Sequence, residues 1–266
     1  MIINFWGNLK ELLRPPFRGQ QRVAYELTRQ ASVKDIVEAL GVPHTEVGRL
    51  VVAGREISFA APGADDDTLD VYPISPPVDV TTPTLLRPEP LPGITFAVDM
   101  NVGKLATLLR MAGFDTLYRS DISDPDLVAV AVREKRILLS KDTDLLKRKE
   151  VVFGYLVREI QPEKQLAEIV HLFGIREQFK PLSRCLRCNA LLLPVEKRQI
   201  LDRLEPLTQK ILSVVPAMSL LRQDILAGNP SGHNAFDVGS LRSMNDRSCS
   251  PLFLFCVFVL ILLKEK

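Results

Sequence analysis

Residues 94–146, ITFAVDMNVGKLATLLRMAGFDTLYRSDISDPDLVAVAVREKRILLSKDTDLL, decide how this chain folds. ITFAVD is a short apolar strand that ends on Asp99. KLATLLRMAG predicts an amphipathic helix with Leu105, Leu108, Leu109 and Met111 inward and Gly113 as its stop. FDTLY follows as a strand, SDPDLVAVAVREK as a helix, RILLS as a third strand and DTDLLKRK as a short helix. VVFGYLV then reads as a fourth strand, and PEKQLAEIVHLFG as a helix ended by Gly174. Strict alternation of strand and helix predicts a parallel α/β sheet covered by helices, spanning residues 94–180.

The acids fall where such a sheet would bind a ligand. Asp99 follows the first strand, and Asp142 and Asp144 follow the third. Asp121, Asp124 and Asp126 lie in the loop and first helical turn after the second. Parallel strands end on one edge, and open α/β sheets bind ligands there. Carboxylates gathered without partners repel one another unless a cation intervenes. Oxygen-only ligands suit Mg²⁺ or Mn²⁺, which activate water and steady an in-line attack on a phosphodiester. A plainer reading makes Asp124 and Asp126 helix caps and Asp144 a solvated first-turn acid. Asp99 and Asp142, both ending buried strands, have fewer structural excuses.

Upstream, IINFWG and QRVAYEL read as strands. Ser32 is placed to cap a helix over SVKDIVEALG, with Val33, Ile36, Val37 and Leu40 on one face and Gly41 as its stop. RLVVAGREI reads as a hairpin around Ala53-Gly54, and LDVYPI as a closing strand. This order predicts a β-grasp domain over residues 1–76. His44 reads as a structural loop residue. Residues 77–93 lie in a proline-rich linker, since the stretch 74–93 carries six prolines, and an extended, semi-rigid spacer with few contacts between the flanking domains is expected.

Several motifs together resemble known families. AVDMNVGKLATLLRMAGFDTLY resembles the first strand and helix of PIN domains, with Asp99 and Asn101 on their D-x-N signature. SKDTDLL resembles a later PIN motif, matched by Ser140, Asp142 and Asp144. SDPDLV resembles the intervening acidic helix start, where either Asp124 or Asp126 would be the second acid. More narrowly, the chain is similar to a bacterial and archaeal family named after the C-terminal RNase region of the Mut-seven exonuclease. Its members pair an N-terminal ubiquitin-like domain with a PIN-like domain and a zinc ribbon. VPHTEVGRLVVAGREI and FKPLSRCLRCNALL fit that order along roughly residues 1–210.

The resemblance implies a metal-dependent ribonuclease. Asp99, Asp124, Asp126, Asp142 and Asp144 would be its catalytic acids, with Asp99, Asp142 and Asp144 holding Mg²⁺ or Mn²⁺. Asn101, Lys104, Arg110, Ser140 and Lys141 would contact RNA. Lys135, Arg136, Lys147, Arg148, Lys149 and Arg119 also lie near the acids in sequence and could hold phosphates, or could form an ordinary solvated face. The alternative is a non-catalytic PIN-like module that binds RNA or protein, with the ubiquitin-like domain docking a protein partner.

Cys185 and Cys188 form a C-x₂-C knuckle, the first half of a zinc ribbon over residues 181–210. Structural zinc needs four ligands, so zinc is expected only if the ribbon is complete. Residues 211–248 contain no cysteine, and Cys249 and Cys256 sit in an apolar context. Read from the second nucleotide of each codon, a gene for MSLLRQDILAGNP (residues 218–230) permits a run beginning Cys-Pro-x-Cys-Gly, as in the family's second half-site. Residues 211–266 are therefore expected to be an out-of-frame tail after a frameshift near Lys210, or else a divergent sequence.

Bulk properties set the remaining bounds. Net charge is +2, so no global basic field marks a nucleic-acid binder. The apolar run Pro251–Leu263 has 13 residues, short of the roughly 20 that span a bilayer. No secretory signal is read at the start, and a cytoplasmic protein without membrane attachment is expected.

Overall fold

Strand β1 (Ile2–Phe5) opens a five-stranded mixed sheet in the computed structural model, which describes residues 1–196 and 214–218. The other strands are β2 (Arg22–Ala24), β3 (Val47–Val52), β4 (Arg55–Glu56) and β5 (Thr68–Pro73), in spatial order β2-β1-β5-β3-β4. β1 and β5 pair in parallel and the other neighbours antiparallel. Helix α1 (Val33–Ala39) buries Val33, Ile36 and Val37 in the core of this sheet. The expected β-grasp is formed. Ser32 caps α1, its Oγ accepting the Asp35 N–H at 3.2 Å. Gly41 ends it at φ +117, where a Cβ would meet the Leu12 carbonyl oxygen at 2.7 Å. Ala53 and Gly54 turn the hairpin, both with positive φ.

The second sheet holds β6 (Phe96–Val98), β7 (Thr116–Leu117), β8 (Ile137–Ser140) and β9 (Gly154–Leu156), all parallel, in spatial order β7-β6-β8-β9. β6 and β8 are buried along their whole length, which explains their unbroken apolar sequences. Helices α2 (Gly103–Met111) and α5 (Pro162–Phe173) pack on one face through Leu105, Leu109, Leu166, Ile169 and Leu172. Helices α3 (Asp124–Arg133) and α4 (Thr143–Leu146) cover the other through Leu127, Val128, Leu145 and Leu146. Leu108 is only half-buried, unlike its expected inward neighbours.

Residues 1–180 form one compact unit, against the expectation of two domains with few mutual contacts. The connecting stretch is stitched into both cores. Val80 and Leu91 are buried with the second sheet and Leu86 with the first. Val78 N–H donates to the Leu172 carbonyl at 2.7 Å. The prolines keep this stretch out of both sheets, and its intervening apolar residues fill gaps along them.

The described residues from Pro181 onward belong to a separate unit. There β10 (Leu192–Glu196) pairs antiparallel with β11 (Val214–Met218), so β11 falls inside the stretch expected to be tail. Cys249, Cys256 and the apolar run Pro251–Leu263 lie outside the described residues. No helix among the described residues is long and apolar enough to cross a membrane.

Candidate active site

The chain leaves β6 towards β7 on one side, then crosses to β8 on the other. The carboxyl ends of β6 and β8 therefore flank the topological switch point, the favoured ligand site of an open parallel sheet. Asp99 follows β6 there and Ser140 ends β8. Asp99 is only 5% exposed. Its Oδ2 accepts the Ser140 hydroxyl at 2.6 Å and Asn101 Nδ2 at 2.7 Å. The Lys141 N–H donates to Asn101 Oδ1 at 3.1 Å, and the Asp142 N–H to Ser140 Oγ at 2.8 Å. The side chains of Asp99, Asn101 and Ser140 thus form one hydrogen-bonded group, tied to the backbone of Lys141 and Asp142. Asp99 Oδ1 takes no hydrogen bond among the described residues.

The remaining acids share the edge without joining that group. Asp142 caps α4, its Oδ1 accepting the Asp144 N–H at 2.8 Å. The Asp144 side chain is 87% exposed and turns to Lys147 Nζ at 3.3 Å. Asp124 and Asp126 stand exposed in the first turn of α3, where Ser123 Oγ donates to Asp126 Oδ2 at 2.6 Å. No trio of Asp, Glu, His or Cys side chains among the described residues is gathered closely enough to hold a metal ion, so the expected convergence of four carboxylates is not seen. Asp142, Asp144 and Asp126 instead meet separate nearby donors, in keeping with the mutual repulsion of unpaired carboxylates.

A cleft of about 480 Å³ opens beside Asn101. Lys104, exposed in the first turn of α2, lines it with Met100, Tyr118, Ile160 and Gln165. The Tyr118 ring lies close against Gly103, where a Cβ would meet its Oη at 2.4 Å. Neither Gly103 nor Tyr118 stood out in the sequence, although a glycine two residues past Asn101 at a helix start was a usable signal.

Arg110 corrects the expectation of a phosphate contact. It is 4% exposed, and its Nε donates to the Thr116 carbonyl at 3.0 Å, so it braces β7 from within. Lys135 and Arg136 precede β8 and lie at the opposite edge of the sheet, where Arg136 pairs with Asp115 at 2.5 Å. Arg119 pairs with Asp121 at 3.0 Å.

The donor set fits Mg²⁺ or Mn²⁺ better than zinc. Mg²⁺ is commonly held by one or two carboxylates with retained waters. Asp99 and Asp142 carry hard carboxylate oxygens, the donor type such ions take, and Asp142 reaches Ser140 through its backbone N–H. In the separate unit, Cys185 and Cys188 form no disulfide, and no trio of metal-binding side chains includes them among the described residues. Their turn is ordered by Cys185 N–H donating to the Ala190 carbonyl at 2.8 Å, and burial pushes the Cys188 thiol up.

Residues 94–215 match the family model of the Mut7-C RNAse domain, and residues 1–79 that of the Mut7-C ubiquitin domain. The chain joins a Mut7-C ubiquitin domain to a Mut7-C RNAse domain. The RNAse match points to a nuclease-like function with RNA as substrate. No curated protein and no solved structure matches the chain. Within the Mut7-C RNAse domain, the Asp99 group occupies the switch point, and the match ends just past the start of β11.

Proposed function

We propose that this Mut7-C protein is a ribonuclease that cleaves RNA phosphodiesters at the Asp99 edge with Mg²⁺ or Mn²⁺. One observation carries the reading: a nearly buried aspartate at the switch point, tied by Ser140 and Asn101 through one oxygen and open at the other. A carboxylate kept from water yet left one free oxygen is prepared for a cation. Asp99 and Asp142 would hold it, and the bound ion would polarise water and offset charge developing on the phosphate. Ser140 and Asn101 keep the Asp99 carboxylate in one orientation. Lys104 of the cleft and Lys141 beside Asn101 would meet phosphate oxygens, and Met100 and Tyr118 would give a base apolar surface.

The absence of a gathered acidic trio among the described residues favours a second reading, an RNA-binding module without cleavage. One experiment separates the two. End-labelled RNA is incubated with the purified chain in Mn²⁺, in Mg²⁺ and in chelator. Cation-dependent fragments are expected. Intact RNA in all three conditions, retained by the chain in a filter-binding assay, would support the binding module instead.

A further inference from the structure

We infer that Glu46 of the ubiquitin-like domain is a positioning residue for the nuclease cleft, holding the segment after β9 that forms one cleft wall. The inference rests on the reading of that cleft as the RNA site.

Glu46 ends the short turn His44–Glu46 ahead of β3 and is 0% exposed. The hydrogen-bond partners of its side chain lie in the RNAse domain. Oε1 accepts the Leu156 N–H, at the end of β9, at 2.8 Å, and Oε2 pairs with Arg158. The Arg158 guanidinium lies over the Tyr155 ring at 5.2 Å. From the other side Glu168 of α5 accepts the N–H groups of Arg158 and Glu159, each at 3.1 Å, and the Tyr155 hydroxyl at 2.8 Å. Gln165 Nε2 donates to the Glu159 carbonyl at 2.9 Å. Ile160, next in the chain, stands 83% exposed on the cleft wall. Two anchors therefore hold residues 156–160, and one of them comes from the other domain.

Among the described residues β9 is also the edge strand of its sheet, with only β8 beside it. The ubiquitin-like domain and the connecting stretch cover that edge. His44 Nε2 donates to the Val151 carbonyl at 2.6 Å, and Arg87 Nε to the Val152 carbonyl at 3.3 Å. Arg87 Nη1 and Nη2 reach back to the Val47 and Thr45 carbonyls at 3.1 and 2.9 Å, clamping both domains. An exposed edge invites strand addition by another chain, and this one is closed in cis.

The pair is built for geometry more than for stability. Burial raises the Glu46 carboxyl despite the attraction of Arg158, so its charge is held at a cost. A detachable docking domain would have no use for an acid buried against its neighbour.

The test uses the full chain and a single-stranded oligouridylate. Glu46→Gln keeps an acceptor for Leu156 N–H and loses the charge facing Arg158. It should raise KM by about tenfold, the loss of roughly one charge-assisted hydrogen bond, and leave kcat near wild type. Amide exchange at Arg158 and Glu159 should quicken by about tenfold for the same reason. Glu56→Gln, an exposed acid on the same domain, should change neither. In an Arg158→Gln background, Glu46→Gln should add no further rise in KM, because both act through one contact. Wild-type KM and exchange in Glu46→Gln, a fall in kcat alone, or additive effects in the double variant would each overturn the inference. If the wild-type chain cleaves no RNA, the nuclease reading fails, and exchange at residues 158 and 159 still decides whether Glu46 holds the wall.

Discussion

Replacing Asp99 with asparagine removes one negative charge from the sheet edge and leaves the side-chain volume unchanged. In the folded chain Asp99 Oδ2 accepts two hydrogen bonds, from Ser140 at 2.6 Å and Asn101 at 2.7 Å. Bonds to a charged acceptor contribute about 1.5–3 kcal/mol each and neutral ones about 0.5–1.5 kcal/mol. The amide oxygen of the replacement can accept from the same donors, so the weakening is about 1 kcal/mol per bond, or ~2 kcal/mol for both. Relief from keeping a charge almost out of water offsets part of this. The melting temperature should therefore fall by no more than about 4–8 °C for a unit of this size. Cleavage should fall much further. Disturbing the hydrogen-bonded supporters of a metal ligand already costs roughly 10–100-fold in affinity or activity, and here the ligand itself loses its charge. RNA cleavage in Mn²⁺ and a thermal melt are measured on the same preparation. An Asp99→Asn chain that cleaves at the wild-type rate refutes the site. One that loses its cooperative melt refutes the claim that charge, rather than packing, is what Asp99 supplies.

Three other outcomes follow from the same geometry. Arg110→Met removes the buried donor to the Thr116 carbonyl and should lower unfolding stability by about 1–3 kcal/mol with KM for RNA unchanged, read from a urea midpoint and steady-state kinetics. Burial raises the Glu46 carboxyl, while Arg158 pulls it down and Glu168 pushes it up. The folded chain thus keeps this proton to higher pH than the unfolded chain, and the stability it contributes is full below the unfolded value and lost as pH rises through the folded one. Urea midpoints followed upward from the ordinary carboxylate range should fall less steeply in Glu46→Gln than in wild type, and equal slopes would count against the buried charge. Metal analysis of the purified chain should give well under one zinc per molecule, and sequencing of the gene near codon 210 should show one nucleotide gained or lost; stoichiometric zinc on Cys185, Cys188, Cys249 and Cys256 would instead make the tail a genuine domain.

The elements were legible in the sequence because their signals are local. The period of KLATLLRM, the cap at Ser32, the turn at Ala53-Gly54 and the stop at Gly174 each depend on neighbours a few residues away. Alternation of strand and helix placed Asp99 and Ser140 at strand ends, and parallel pairing alone brings such ends to one edge. What each long side chain reaches was not legible. Arg110 sits on a helix beside the site, yet its guanidinium turns inward to β7, since a flexible stem lets the charged end find buried carbonyls. Lys135 and Arg136 are close to Lys141 in sequence, but a strand lies between them and carries them to opposite edges. The joining of the two domains was hidden for a related reason. Glu46 and Arg158 meet across 112 positions, and no periodicity or local motif in a single chain encodes which surface acid will be buried against a distant strand. The order of elements, and with it the placing of Asp99 and Ser140 at strand ends, was legible in the sequence alone. The spreading of the outer acids, the burial of Arg110 and the anchoring of the cleft wall by Glu46 were settled only by tertiary packing, where charge repulsion, desolvation and unpaired backbone groups are resolved together.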